Sequence, residues 1–420
     1  MTALPVIVMW LIAVLVSVPV VVFVVECLAA LRPRKAEQLA EDPRARPQLA
    51  VLVPAHNEEQ GLPATLASLQ PQLLPGDRLL VVADNCTDAT ADVAREHGAE
   101  LIERIDPDRR GKGYALAAGV EALRADPPAV VIVMDADCRP EPGALGILAA
   151  AALVADTPVQ GVYLMRTGPE MGALYRLSAF AFLVKNLVRQ RGLCALKQPA
   201  LLQGTGMAFP WMAIDQARLQ TPDLVEDLIL GLDMIEAGHA VRFCQAAQVY
   251  SDHAHPGATL SQRARWEHGY LLAMIRRGPK LLLKGLMGRP PLLTVALDLG
   301  VPPLSLMLLV YLLAFTAVAG MGAWTGEWVP TVYLAIIAVW FIGTLAVVCR
   351  VFGRGTVGLG TLTMAPLYAL WKLPIYLKFL ITPQTEWVRT DRGTADTLGG
   401  DGAPVTPSTT AAHPDPSRST

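Results

Sequence analysis

Three long apolar runs stand out from the pattern of hydrophobic and polar positions along this chain. They occupy residues 5–31, 299–321 and 328–349. Each run is long enough to cross the hydrocarbon core of a bilayer as a helix, which needs about 20 residues. Arg32 follows the first run and Arg350 follows the third, and an excess of basic residues marks cytosolic flanks. The pattern predicts three membrane-spanning helices, with the chain between the first two in the cytosol.

The N-terminal run has an alternative interpretation as a cleaved signal peptide. A signal peptide has a shorter apolar core and a basic start, whereas here Arg32, Arg34 and Lys35 follow the run. We therefore expect an uncleaved anchor.

A fourth apolar segment, residues 358–381, is long enough to span but carries Lys372 and Lys378. Arg389 and Arg392 follow it, so the charge rule places both of its ends in the cytosol. We expect a re-entrant or interfacial segment rather than a further span.

Between the first two apolar runs, strand-like and helix-like patterns alternate. Strands are predicted at residues 49–54, 78–83, 101–104, 130–134, 159–165 and 241–250, and helices at 58–69, 87–97, 114–123, 171–197 and 224–236. Strands separated by helices form βαβ units, which build a mainly parallel sheet covered by helices. The expected fold class is α/β, Rossmann-like, flanked by transmembrane helices.

Residues 260–284 form a predicted amphipathic helix in which basic residues are interspersed with Trp266, Tyr270 and several leucines. Such a helix can lie in the headgroup region of a membrane. Its position just before an apolar run favours that location over simple packing on the domain surface.

The predicted organisation divides the chain into six parts. They are an N-terminal anchor (1–31), a linker (32–47), an α/β domain (48–258), an interface helix (259–290), a C-terminal membrane region (291–383) and a tail (393–420). The tail is too poor in large apolar residues to build a core and is expected to be disordered.

The composition agrees with a membrane protein and limits its partners. Hydrophobic residues make up 53% and charged residues 17% of the chain. The formal net charge of −2 excludes the strongly basic character typical of nucleic-acid-binding proteins. The six cysteines are scattered, without zinc-site spacing or a disulfide framework.

The candidate chemistry centres on residues 130–137, where a β-branched apolar strand ends in Asp135 and Asp137. Open α/β sheets bind ligands at the carboxyl ends of their strands. Two carboxylates one residue apart are hard oxygen ligands, suited to Mg²⁺ or Mn²⁺. The simpler alternative is that Asp135 caps the next segment and Asp137 lies in a solvated turn.

Polar residues follow the other predicted strands at the same edge. His56 and Glu58 come after the first strand and Asp84 after the second, while Lys112 belongs to a basic, glycine-containing loop at residues 110–113. Cations on such a loop suit phosphate binding. The chain has no G-x-G-x-x-G after the first strand and no P-loop motif, which disfavours the standard dinucleotide and P-loop sites.

Five motifs, in order, resemble those of membrane-bound family 2 glycosyltransferases, inverting enzymes that include bacterial polysaccharide synthases. They are Pro54-Ala55-His56-Asn57-Glu58, Asp84, Asp135-Ala136-Asp137, Glu226-Asp227 and Gln262-Arg263-Ala264-Arg265-Trp266. Each motif is weak singly, but five in order are specific. The resemblance covers about residues 49–269 and implies the GT-A fold.

The resemblance also implies a role for each motif. The nucleotide-sugar site would comprise His56, Glu58, Asp84, Lys112, Asp135, Gln262, Arg265 and Trp266; the acceptor site Gly204, Thr205 and Trp266; and the metal ligands Asp135 and Asp137, holding Mg²⁺ or Mn²⁺. Asp227 would be the general base that takes the proton of the acceptor hydroxyl, while Glu226 would point elsewhere. Single in-line displacement would give a β-glycoside.

The activity implied is sugar transfer from a nucleotide-sugar donor, expected to be a UDP-sugar, to a polysaccharide or lipid-linked acceptor at the cytosolic face of the inner membrane. A ceramide-type lipid glucosyltransferase is the alternative; a nucleotidyltransferase or an inactive membrane scaffold is further removed. Three spans are few for a polymer channel, so processive synthesis would need self-assembly or a partner.

Two weaker hypotheses concern residues outside these motifs. His253 or His255 would serve as a third metal ligand, and Trp387 would belong to a segment that closes over the nucleotide.

Overall fold

The structure is a computed structural model that describes residues 3–33, 46–168, 171–251 and 256–384, with only the backbone described for 256–262. The α/β architecture is confirmed. Eight strands form one sheet with a hydrophobic core on each face, and apolar helices from both ends of the chain pack together beside it.

The sheet has the strand order β3-β2-β1-β4-β7-β6-β8-β5. The strands are β1 (Leu49–Ala55), β2 (Arg78–Asp84), β3 (Glu100–Arg104), β4 (Val130–Val133), β5 (Cys138–Pro140), β6 (Val159–Met165), β7 (Met207–Pro210) and β8 (Arg242–Ser251). β1 and β4 are buried along their whole length, because helices cover both faces of the sheet.

The sheet is mixed, with more parallel than antiparallel strand pairs. β1 to β4 pair in parallel, but β7 runs antiparallel to both β4 and β6. The sequence analysis did not predict β7, whose four residues are too few to show a strand period. Its start, Met207, lies opposite Val133 at the end of β4. The loop before β7 therefore lies beside the Asp135 segment.

The helices complete the architecture. They are α1 (Ala3–Ala29), α2 (Leu62–Leu69), α3 (Thr90–Glu96), α4 (Lys112–Leu123), α5 (Ala144–Ala155), α6 (Ala173–Leu183), α7 (Gln190–Ala195), α8 (Trp211–Asp215), α9 (Glu226–Ala237), α10 (Pro256–Leu286), α11 (Pro290–Leu299), α12 (Leu304–Thr325), α13 (Val329–Val351), α14 (Leu359–Leu362), α15 (Ala365–Trp371) and α16 (Leu373–Ile381). A π-helical turn, Val184–Arg189, joins α6 to α7 where one continuous helix was predicted.

Among the described residues, α1, α12 and α13 are long and apolar enough to cross a membrane. They pack against one another, and the rings of Phe23 and Phe341 meet edge to face at 5.4 Å. The segment predicted as re-entrant or interfacial forms α14, α15 and α16. The longest of these has 9 residues, about 14 Å at 1.5 Å per residue, too short for a hydrocarbon core of about 30 Å.

The amphipathic helix α10 has two different surfaces. On one, Arg277 forms ion pairs of 2.6 Å with Asp233 and Glu236 of α9, so this surface packs on the sheet domain. On the other, Ile275 and Leu283 are exposed. The packing interpretation holds for the first surface, and the exposed apolar side chains suit contact with a membrane.

A buried ionic triad connects the apolar helices α1 and α11 to the π-helical turn beside the sheet domain. Arg189 of the π-helical turn donates to Glu26 Oε2 of α1 at 2.6 Å, to the Asp298 carboxylate of α11 and to the Asp298 carbonyl at 2.8 Å. The three side chains are at most 8% exposed. Buried charges are tolerated only when paired, so the triad requires α1, α11 and this turn to stay together.

We expect Arg189→Met to destabilise the protein by about 3–5 kcal/mol, because it leaves two buried carboxylates without a cation. The measurement is unfolding in detergent followed by circular dichroism. Arg95→Met is the matched control, since Arg95 pairs with Asp92 and Glu103 on the surface, where ion pairs contribute about 0–1 kcal/mol. Equal losses in the two variants would contradict a structural role for the triad.

Candidate active site

A cavity of about 350 Å³ lies at the carboxyl ends of β1, β2 and β4 and continues toward the apolar helices. Most of the predicted site residues border it: His56, Glu58, Asp84, Lys112, Asp135, Asp137, Gly204, Asp227, Arg265 and Trp266. At its far end the lining is Phe23 of α1 and the residues that lead into α12, including Val301 and Leu304. One cavity thus joins the strand ends to the membrane helices.

At the strand-end side, the tips of β1 and β2 are held together. His56 Nδ1 donates to the Asp84 carbonyl at 2.6 Å, and Asp84 Oδ1 accepts from Arg104 at 2.5 Å. Asn57 and Asn85 have left-handed backbones, with φ of 55° and 51°. Asparagine tolerates this conformation better than most residues. Such backbones cluster at ligand sites, and these two lie on the cavity wall.

The carboxylates after β4 form a group able to hold a cation. Ligand atoms of Asp135, Asp137 and Cys138 lie within 4.8 Å of one another. Burial raises the pKa of Asp135, as do its acidic neighbours, while Lys112 opposes the rise. Burial also raises the pKa of the Cys138 thiol, which donates to Asp137 Oδ1 at 3.5 Å and so stays protonated. The carboxylate oxygens therefore fit a hard divalent ion such as Mg²⁺ or Mn²⁺.

Lys112 lies in the middle of these acids. It is the first residue of α4, rather than part of a loop, and its ammonium pairs with the Asp135 carboxylate. The same nitrogen lies 3.7 Å from Glu226 Oε1 and donates to the Gly204 carbonyl at 2.6 Å. Burial opposes its charge, but the acids outweigh burial and raise the pKa of Lys112. Lys112 is therefore a fixed cation at the cavity wall.

Glu226 lies in the site, which corrects the prediction that it points elsewhere. It borders the cavity together with Asp227, and both stand in the first turn of α9. Burial raises the pKa of Glu226 to about 7, with Lys112 opposing the rise and Asp227 adding to it. The prediction assumed that adjacent residues of a helix, whose side chains point about 100° apart, cannot both face one site. The cavity borders both residues at the start of α9, which the sequence pattern does not reveal.

Gly204 is the point at which the reactive groups converge. Its φ is +94°, and a methyl group at its Cα would lie 3.2 Å from Asp227 Oδ2, 3.4 Å from Lys112 Nζ and 3.8 Å from Asp135 Oδ2. Side chains other than glycine rarely adopt this backbone conformation. The loop before β7 thus places a residue without a side chain beside Asp227, Lys112 and Asp135, which are far apart in the sequence.

The neighbouring Thr205 does not match its predicted acceptor contact. Its side chain is fully buried and does not border the cavity. Its hydroxyl accepts from the backbone N–H of Asp135 at 3.1 Å. Thr205 therefore orients the segment that carries Asp135 and Asp137.

Not all predicted site residues have described side chains. The backbone of Gln262 is helical, but its side chain is not described; His253, His255 and Trp387 lie outside the described residues altogether. Arg265 and Trp266 are half-buried on the cavity wall. The Trp266 ring lies 6.1 Å from that of Phe182, which creates an apolar shelf.

The sequence analysis missed the residues that α6, the π-helical turn and the start of α10 contribute to the cavity. They include Lys185, Asn186, Arg189, Gln203 and Arg263. The available signal was the run Val-Lys-Asn-Leu-Val-Arg at residues 184–189, which places two basic residues within an otherwise apolar helix.

Residues 47–269 match the family described as glycosyltransferase like family 2, which is just over half of the 420 residues. The chain belongs to this family. Family 2 glycosyltransferases use nucleotide-sugar donors, which makes the cavity at the strand ends the candidate donor site.

Individual relatives agree with the family. The probable glycosyltransferase YdaM of Bacillus subtilis is 26% identical over 256 residues, 56% of this chain and 58% of that protein. An uncharacterised glycosyltransferase of Mycobacterium bovis is 44% identical over 102 residues, 24% of this chain and 42% of that protein. The matches thus span about half the length of these relatives.

A solved structure supports the fold of this glycosyltransferase. The mannosyltransferase PcManGT from Pyrobaculum calidifontis, in complex with GDP-Man and Mn²⁺, aligns with a TM-score of 0.54 at 15% identity, covering 89% of this chain and 99% of that one. The likeness extends over the membrane-side helices as well as the sheet, which supports a GT-A fold.

We expect Gly204→Ala to reduce nucleotide-sugar turnover about a hundredfold, because a displacement of about 1 Å in a site has effects of this size. Gly238→Ala is the matched control: its φ is +101° and a methyl group there meets nothing within 4 Å. It carries the same backbone strain without crowding the site. If both variants lost activity equally, strain rather than the Gly204 contacts would be responsible.

Proposed function

We propose that this glycosyltransferase is a metal-dependent, inverting enzyme that moves a sugar from a nucleotide-sugar donor to a polysaccharide or lipid-linked acceptor. The observation that carries the proposal is the convergence of Asp135, Lys112 and Asp227 on Gly204. A carboxylate pair for a metal, a cation and a candidate base surround one point of the cavity. These are the groups that diphosphate departure and hydroxyl activation require.

The proposed donor site runs from the tips of β1 and β2 to Asp135. His56, Glu58 and Asp84 would line the nucleoside end, and Lys112 and Arg265 would face the diphosphate. Asp135 and Asp137 would hold Mg²⁺ or Mn²⁺, which when bound supplies positive charge for the leaving diphosphate. The donor we propose is a UDP-sugar; because the Pyrobaculum neighbour carries GDP-Man, GDP-sugars belong in the test.

The proposed reaction is a single displacement at the anomeric carbon. Asp227 accepts the proton of the acceptor hydroxyl as its oxygen forms the bond to carbon. The bond from that carbon to the diphosphate oxygen breaks, and its electron pair leaves with the nucleoside diphosphate. Lys112, fixed by Asp135 and Gly204, keeps a positive charge at the leaving group. Attack opposite to the leaving group gives a β-linked product from an α-linked donor.

The membrane side of the cavity supports a lipid-linked acceptor in particular. Phe23 of α1 and Val301 and Leu304 at the start of α12 form its far wall, so an apolar chain could reach it from a bilayer. We propose that residues 48–258 form the catalytic domain on the cytosolic face of the inner membrane. Arg32 and Arg350 at the ends of the apolar helices suit that orientation.

We expect Asp227→Asn to lower kcat for sugar transfer about 10²–10⁴-fold, the range for loss of a general base, with the donor KM little changed. The assay is release of nucleoside diphosphate from a panel of UDP- and GDP-sugars with cell lipid extract. Asp223→Asn is the control: Asp223 is exposed and contacts Thr221. Unchanged turnover in Asp227→Asn would exclude the base assignment, and pyrophosphate as product would indicate a nucleotidyltransferase.

We expect chelation with EDTA to abolish transfer and either Mg²⁺ or Mn²⁺ to restore it, because the carboxylates after β4 would then lack their cation. Asp137→Asn should raise the concentration of metal needed for half-maximal activity. The measurement is a metal titration of wild type and variant at saturating donor. Full activity in EDTA would rule out a metal-dependent mechanism.

A further inference from the structure

The cavity wall includes two cations that the proposed reaction does not use. Lys185 and Arg263 both border the cavity. Lys185 comes from the π-helical turn and Arg263 from α10. We call the space that they and Gln203 and Tyr368 border the inner chamber.

Neither cation forms an ion pair with a described carboxylate, although Asp227, Asp298 and Glu267 lie near enough to Lys185, and Glu267 to Arg263, to oppose the lowering of their pKa. The Lys185 ammonium lies 5.1 Å above the Tyr270 ring, and the Arg263 guanidinium lies 5.9 Å above the Tyr175 ring. No described carboxylate lies within ion-pairing distance of either. Burial lowers the pKa of both side chains. Lys185 is exposed and borders the cavity, whereas Arg263 is only 6% exposed.

Other basic residues of the same region do form ion pairs. Arg189 pairs with Glu26 and Asp298, and Lys372 pairs with Glu267. A buried charge without an ion-pair partner, such as that of Arg263, is costly. Two cations that border one cavity without an ion-pair partner suit an anion supplied by a ligand.

Two neutral groups in the inner chamber also lack partners. The Oε1 atom of Gln203 and the hydroxyl of Tyr368 are buried and have no hydrogen-bond partner among the described residues. A buried polar group left unsatisfied costs free energy. One donor and one acceptor next to two cations suit a hydrated or partly protonated anionic headgroup.

The π-helical turn positions Lys185 at the inner chamber. π-helical turns are rare and often occur at functional sites. Within six residues this one directs Lys185 and Asn186 to the cavity and Arg189 into both the cavity and the triad with α1 and α11. The cation is therefore held on an element that is anchored to the membrane helices.

We propose that the inner chamber binds an anionic group, a phosphate or a carboxylate, carried by an amphiphilic acceptor, with Lys185 and Arg263 as its ligands. This inference rests on the proposed function and specifies its acceptor. The donor diphosphate already has Lys112 and the Asp135 segment at the strand ends. The inner chamber instead adjoins Phe23, Val301 and Leu304, so its occupant would have an apolar chain beside a charged head.

The test is equilibrium binding to the full-length protein in a neutral detergent. The probes are hexadecyl phosphate, palmitate, hexadecanol and inorganic phosphate, and donor binding is measured in parallel. We expect one or both anionic amphiphiles to bind about tenfold or more tightly than hexadecanol, the size of one charge-assisted hydrogen bond. The two anionic probes separate a phosphate from a carboxylate headgroup. Inorganic phosphate should compete weakly, because it lacks the apolar chain.

We expect Lys185→Gln and Arg263→Gln each to remove most of this preference while leaving hexadecanol binding and donor affinity unchanged. Lys280→Gln and Arg276→Gln are matched controls, because both residues are exposed on α10. These controls should bind like wild type.

Three results would overturn the inference: equal binding of hexadecanol and the anionic probes, equal losses in the control variants, or weakened donor binding in Lys185→Gln. A different result would contradict the proposed sugar transfer instead. In that case the protein would bind anionic amphiphiles preferentially but would neither bind nor turn over any nucleotide sugar. The two failures are thus distinguishable.

Discussion

The interaction on which the site depends is the contact of Lys112 with Asp135, Glu226 and the Gly204 carbonyl. These groups come from the segment after β4, the start of α9 and the loop before β7. Carboxylates that are buried close together repel one another, so their ionised forms are disfavoured. The positive charge of the Lys112 ammonium between them offsets this repulsion. One partly buried cation therefore links three segments that lie far apart in the sequence.

The antiparallel strand β7 makes this arrangement possible. A wholly parallel sheet would place the start of each strand at the opposite edge from Asp135. Because β7 runs against β4, its preceding loop arrives at the carboxyl edge, and Thr205 bonds to the Asp135 backbone. Gly204 then leaves room for Asp227 and Lys112. The antiparallel direction of β7 therefore determines which residues lie beside Asp135.

The apolar helices are coupled to the same cavity. Arg189 ties α1 and α11 to the π-helical turn, and that turn also carries Lys185. In addition, Lys372 pairs with Glu267, the residue after Trp266, which joins the C-terminal helices to α10. The bundle of apolar helices and the sheet domain therefore share one cavity wall, across which the proposed acceptor would meet the proposed donor.

The sequence by itself determined the apolar helices, the strands β1 to β4, β6 and β8, and the carboxylates at the ends of β2 and β4, because hydrophobic period and the order of elements along the chain are local properties. Only the tertiary structure decided the direction of β7, the position of Glu226 in the cavity, the burial of Thr205 and the exposure of Lys185 to the inner chamber. These depend on which surfaces meet in space. A short strand or a lysine within an apolar helix carries no local pattern that reveals its partners.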